Sequence, residues 1–172
     1  RILTRGNEAN VLKVDLTDVY DEFVKVLPKT DHKLAYANIK PRLRMTALYN
    51  IAQANNLLVA GATNKTEYMI GYFTKHGDSG VDILPLADFT KHEIYEMARE
   101  LGVPDEIILK PPSAGLYTGQ SDEEEIGLSY DDLDAGVEGR LETQEKNKKI
   151  QRMIKISEHK RAGIPIYRKG RD

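Results

Sequence analysis

The chain contains no cysteine. That absence excludes a disulfide framework, a thiolate nucleophile, and any zinc or iron–sulfur site built on sulfur ligands. Its 4 histidines, His32, His76, His92 and His159, are scattered without the H-x-x-x-H spacing that puts two imidazoles on one helix face, so a zinc site is not expected. No apolar stretch reaches the roughly 18 residues of a membrane span, and no charged segment followed by an apolar one opens the chain; the expectation is a cytoplasmic protein with no membrane partner. Net charge is also scarce, with 25 Lys and Arg against 27 Asp and Glu. A general nucleic-acid binder carries a basic surplus to neutralise phosphates, so no nucleic-acid partner is expected, although local basic patches remain open.

What is present suits a single domain over residues 1–172, since the length falls in the range of roughly 100 to 200 residues per domain. Apolar residues make up 40% and charged residues 30%, enough to bury a core. Residues 11–16 alternate apolar with polar positions and predict a strand, followed by a helix over 18–26 that Pro28 stops. Residues 34–55 read as helical with a break or a fresh start near Pro41, which has no amide donor. Leu57-Leu58-Val59-Ala60, closed by Gly61, has the continuous apolar form of a buried parallel strand, and residues 81–84 suggest another.

Thr90 and Glu93 have capping-box spacing ahead of a helix over 91–101, with Gly102 and Pro104 as its stop. Ser121 and Glu124 repeat that spacing, Ser129 opens a short helix to Asp134, and Thr143 is placed to cap a helix with Ile150, Met153, Ile154 and Ser157 on one face. Strands separated by helices predict an α/β fold, a parallel sheet covered by helices. Ligands in such sheets bind beyond the carboxyl ends of the strands, which directs attention to the residues after Gly61 and around Asp82.

There the chemistry concentrates. Gly61-Ala62-Thr63-Asn64-Lys65-Thr66-Glu67 offers close backbone approach, hydroxyls and one carboxylate; it fits a nucleotide turn with Glu67 on magnesium, and equally a plain strand-to-helix turn with Glu67 in water. Residues 71–82 put Tyr72, Phe73, Lys75, Asp78 and Asp82 among three glycines, a mixture suited to a phosphate-bearing ligand with hydroxyls or to a solvated loop. Lys110-Pro111-Pro112-Ser113 is a stiffened approach that either presents Ser113 to a phosphate or simply connects two elements. Glu158-His159-Lys160-Arg161 is an anion site or a favourable charge set at a helix end.

Together these stretches, with Asn38-Ile39-Lys40-Pro41-Arg42-Leu43-Arg44-Met45 and Gly119-Gln120-Ser121-Asp122-Glu123, resemble the NAD synthetase family over residues 11–161. The resemblance implies a Rossmann-like, adenine-nucleotide α-hydrolase-like sheet and an ATP-dependent amidation of deamido-NAD, with ATP as co-substrate, Mg2+ as cofactor and ammonia as nitrogen donor. It implies that Arg42, Lys75, Asp82, His159 and Lys160 hold deamido-NAD, that Lys91 and Ser113 contact ATP together with the turn at Ala62 and Thr63, and that Glu67 binds magnesium. It also implies a homodimer. The family's threonine after the glycine of the turn is here Ala62, with the hydroxyl shifted to Thr63.

A Ser-Gly-Gly-x-Asp-Ser phosphate loop is not found in the 172 residues, so the chain is expected to be the C-terminal portion of such a domain, without its N-terminal strand–loop unit. Asp78, Asp82, Asp122 and Glu123 all stay open as a general base. Two other readings stand beside this one: another ATP pyrophosphatase of the GMP-synthetase-like or tRNA-modifying kind, disfavoured by residues 71–82, and a non-catalytic dinucleotide-binding fragment. A glutaminase of the family's cysteine type cannot operate in these residues, which makes ammonia the expected donor. The 172 residues alone are expected not to release AMP and pyrophosphate from ATP in the presence of deamido-NAD. Robust turnover by this chain would overturn the reading of the gap.

Overall fold

The computed structural model describes residues 11–117, 119–167 and 169–170, and helices dominate among them. Asp15 starts the first one: its Oδ1 accepts from the Thr17 amide at 2.9 Å and the Thr17 hydroxyl at 2.6 Å, and α1 (Thr17–Val26) follows as expected. The strand expected over 11–16 does not form, and Val11, Leu12 and Val14 are exposed. Alternation marks a segment able to lie on a sheet, but its backbone groups still need a neighbouring ladder. Among the described residues no segment pairs with it.

The helical stretch that follows divides into α2 (Lys33–Ala37) and α3 (Ile39–Ala54), joined at Asn38. Pro41 is the third residue of α3, where an amide has no intrahelical acceptor to lose, so the fresh start comes just ahead of the proline. Of the expected parallel sheet covered by helices, the described residues show only one parallel bridge, between Ala60 and Ile83. The Gly61 amide donates to the Ile83 carbonyl and the Asp82 amide to the Val59 carbonyl, each at 2.9 Å. Leu57 and Leu58, expected to be buried strand residues, are 63% and 71% exposed, because no described segment covers them.

The remaining helices are α4 (Lys65–Ile70), α5 (Lys91–Glu100), α6 (Asp105–Ile108), α7 (Asp122–Ile126), α8 (Tyr130–Val137), α9 (Gln144–Ile156) and α10 (Glu158–Arg161). The capping box at Thr90 and Glu93 forms as predicted, and the Ser129 side chain caps α8. Ser121 and Thr143 precede their helices without a side-chain cap. Ile70, Ile126, Leu128, Tyr130, Leu133 and Ile150 make the core, with Met153 and Ile154 packed against it from the face of α9 predicted by periodicity.

Helices α8 and α9 meet over Gly136, where a Cβ would lie 2.3 Å from Ile150 Cδ1. Gly136→Ala sets propensity against packing: alanine favours a helix interior by about 1 kcal/mol, whereas overpacking costs about 1 to 3 kcal/mol. We expect a net loss of stability in urea unfolding. Gly163→Ala, where a Cβ meets nothing within 4 Å, should leave the midpoint unchanged.

Candidate functional site

The turn after the parallel bridge enters α4 through a second capping box. The Asn64 side chain accepts from the Glu67 amide at 2.8 Å, and Glu67 Oε2 accepts from the Asn64 amide at 3.2 Å. The Asn-x-x-Glu spacing is the signal that could have revealed it from sequence. Thr63 and Asn64 are buried, while Ala62 is exposed. Glu67 Oε1 accepts from Lys91 Nζ at 3.2 Å and lies 3.2 Å from the Tyr130 hydroxyl, and the Lys91 ammonium stands 4.8 Å from the centroid of the Tyr130 ring. Two residues expected at ATP and magnesium, 24 positions apart in sequence, thus form one largely buried ion pair.

Their placement rests on Asp134, which no sequence motif indicated. This carboxylate on α8, only 5% exposed, accepts from the Lys91 and His92 amides at the start of α5 at 3.4 and 2.9 Å, and from the Thr66 hydroxyl on α4. Thr90 Oγ1 accepts from the Glu93 amide. With Asp134 and Thr90 holding these donors, the opening turn of α5 already faces an anion belonging to the protein. These amides are therefore not free for a phosphate, while the Lys91 ammonium projects to Glu67.

On the other side of α4 lies an open cleft of about 500 Å³, lined by Arg42, Phe73, Lys75, Asp78, His159 and Lys160 among others. Two lysines clasp its floor. Lys160 Nζ donates to the Gly71 and Phe73 carbonyls, both at 2.7 Å, and Lys75 Nζ donates to the His159 carbonyl at 2.6 Å. Arg42 donates to the Lys75 carbonyl at 3.3 Å. Burial lowers the pKa of Lys160 from its ordinary value; nearby Asp78 opposes that shift, while Arg161 and Arg42 add to it. Four of the five residues expected at deamido-NAD are therefore brought together from three separate segments. Asp82 does not line this cleft: it accepts from the Tyr49 hydroxyl at 3.1 Å and the Val59 amide at 2.7 Å.

Asp122, also 5% exposed, stands between the two regions. Its Oδ1 accepts from the Ala114 amide at 2.9 Å, fixing the segment next to Ser113, and lies 3.0 Å from the Tyr72 hydroxyl; Oδ2 lies 3.2 Å from the Tyr130 hydroxyl. Ser113 is exposed, with its hydroxyl accepting from the Gly115 amide. Among the four carboxylates left open as a base, Asp78 lines the cleft, whereas Asp122 holds the Ala114 amide and shares the two phenols with Glu67 and Glu125, and Glu123 accepts from the Tyr130 amide at 2.7 Å. Among the described residues no three acidic or imidazole side chains gather as a metal cluster, so Glu67 offers one carboxylate where magnesium takes about six oxygens.

The fold is shared with a solved NMN synthetase from Francisella tularensis, with a TM-score of 0.84 and 34% identity over 91% of this chain and 66% of that one. The NAD synthase family model matches residues 3–165, and the chain belongs to that family. It is 48% identical to the NH(3)-dependent NAD(+) synthetase of Finegoldia magna over 94% of its own length and 66% of the relative's. It is 46% identical to that of Mesoplasma florum over 88% and 64%. The chain thus spans about two thirds of the length of these curated relatives.

Asp134→Ala should cost about 3 kcal/mol in urea unfolding, because it strands two amides and a hydroxyl away from water. Thr66→Val, which removes one donor and keeps the shape, should cost only about 1 kcal/mol. Equal losses would show that the carboxylate is not the common anchor.

Proposed function

We propose that the protein carrying this chain is an ammonia-dependent NAD synthetase. The observation that carries the reading is the cleft in which Arg42, Lys75, His159 and Lys160 converge, separated by Asp122 from the Glu67–Lys91 pair. In this reaction an oxygen of the nicotinate carboxylate attacks the α-phosphorus of ATP and pyrophosphate leaves. Ammonia then attacks the acyl carbon, AMP departs with the C–O electron pair, and the nitrogen loses a proton to give the amide.

The cationic side chains of the cleft bind the dinucleotide phosphates, and Lys91 offsets charge on ATP once its ammonium leaves Glu67. Glu67 is the residue that would hold magnesium, which would neutralise phosphate charge there, with the remaining ligands from substrate, water and other groups. Ser113, Ala62 and Thr63 border ATP, and Asp82 joins the dinucleotide site by the family resemblance. The 172 residues form one portion of a single Rossmann-like domain whose sheet includes the Ala60–Ile83 bridge. The protein works as a cytoplasmic homodimer; among the described residues no helix is long and apolar enough to cross a membrane.

A second reading, with a nicotinate mononucleotide as acceptor, is favoured by the likeness to the Francisella NMN synthetase. Turnover with each acceptor in parallel separates the two. Lys75→Ala should weaken deamido-NAD binding roughly ten- to a hundredfold, with ATP affinity nearly unchanged. Calorimetric titration with each ligand tests this, and equal losses would move Lys75 into a shared role. With ammonium chloride as sole donor the protein should form the amide, and with glutamine as sole donor it should not. Efficient use of glutamine without a partner protein would sink the assignment of the donor.

A further inference from the structure

Between the nucleotide turn and the cleft five side chains stand in an unbroken row: Glu67, Tyr130, Asp122, Tyr72 and Glu125. The Tyr130 hydroxyl lies 3.2 Å from Glu67 Oε1 and 3.2 Å from Asp122 Oδ2. The Tyr72 hydroxyl lies 3.0 Å from Asp122 Oδ1 and 2.9 Å from Glu125 Oε2. A phenol carries a single hydrogen, so four oxygen–oxygen contacts share two hydrogens. An ordinary phenol loses its hydrogen only at about pH 10, so at neutral pH both keep theirs.

Each hydroxyl can serve only one of its two carboxylates at a time, and the near-equal distances leave the choice to whatever else those carboxylates hold. Three settings leave Asp122 a phenol hydrogen. The one in which both phenols donate to Asp122 crowds a carboxylate that already takes the Ala114 amide and leaves Glu67 and Glu125 without either phenol, so two settings share the hydrogens evenly. In one, Tyr130 donates to Glu67 and Tyr72 to Asp122. In the other, Tyr130 donates to Asp122 and Tyr72 to Glu125. A ligand that engages Glu67 Oε1 competes with Tyr130 for that oxygen and favours the second setting.

The far end of the row is tied to the cleft. Tyr72 and Glu125 line it, and Glu125 Oε2 accepts from Gln120 Nε2 at 2.6 Å, while Gln120 Oε1 accepts from the Leu116 amide at 2.8 Å. Asp122 Oδ1 holds the Ala114 amide as well, so the segment carrying Ser113 senses the same switch.

We propose that Tyr130 and Tyr72 are positioning residues that couple the two substrate sites, their hydroxyl hydrogens shifting together between Glu67 at the nucleotide turn and Glu125 at the acceptor cleft. This rests on the assignment of ATP to the turn and deamido-NAD to the cleft. A hydrogen bond from Tyr72 offsets the charge of Glu125 on the cleft lining and so favours an anionic dinucleotide there, and by linkage the two ligands tighten each other by the same factor.

The test is calorimetric titration of the complete protein that carries this chain with α,β-methylene-ATP, which cannot release pyrophosphate, with and without deamido-NAD, in magnesium buffer lacking ammonia. In the unsubstituted protein each ligand should bind about fivefold or more tightly when the other is present. Tyr130→Phe keeps the ring under Lys91 and removes the shared hydrogen. It should bind each ligand alone within about twofold of the unsubstituted protein and bring the coupling factor to within about twofold of one. Tyr72→Phe should likewise abolish the coupling, and a merely structural role for either tyrosine would lower stability without touching that factor. Independent binding of the two ligands by the unsubstituted protein, or coupling undiminished in both variants, overturns the relay alone. Failure of the unsubstituted protein to bind either ligand overturns the functional assignment and the relay with it.

Discussion

Asp134 is the constraint on which the site depends. A carboxylate can be buried only where donors replace the water it loses. Here those donors are two amides opening α5 and the hydroxyl of Thr66 on α4, so satisfying one charge fixes the mutual position of three helices. The Glu67–Lys91 pair is the direct result, since one member sits on α4 and the other begins α5. The same carboxylate uses up the positive end of α5. The helix end and the Lys91 ammonium, adjacent in sequence, are thereby given separate partners.

A parallel logic shapes the cleft. Lys75 and Lys160 are held by backbone carbonyls rather than carboxylates, each crossing from one segment to the other. Carbonyl dipoles position an ammonium without cancelling its charge, which keeps the cleft cationic although the whole chain is slightly acidic. Three carboxylates run from the turn to the edge of the cleft, Glu67, Asp122 and Glu125, each within hydrogen-bond distance of one or both of the phenols Tyr130 and Tyr72. The two hydroxyls thus lie along one path from the Glu67–Lys91 pair to the cleft.

Local signals in the sequence translated well where the physics is local. The Thr90–Glu93 box, the start of α3 ahead of Pro41, the Ser129 cap and the buried face of α9 each depend on residues within one or two turns of each other. The segments read as strands translated poorly. Residues 11–16 lack a described partner, and residues 57–60 have one on a single side, because a strand is completed by neighbours its own pattern cannot name.

The candidate site divides along the same line. Sequence by itself determined the family, the residue types able to meet phosphates, and the absence of any thiol chemistry, because motif order and composition are properties of the chain. Only the tertiary structure decided that Arg42, Lys75, His159 and Lys160 share one cleft, that Asp82 bonds Tyr49 and Val59 outside it, and that Asp122 is a structural junction rather than a free base. Those outcomes turn on which donors meet which carboxylates across tens of residues. Burial makes each such pairing obligatory, yet no spacing along the chain encodes it.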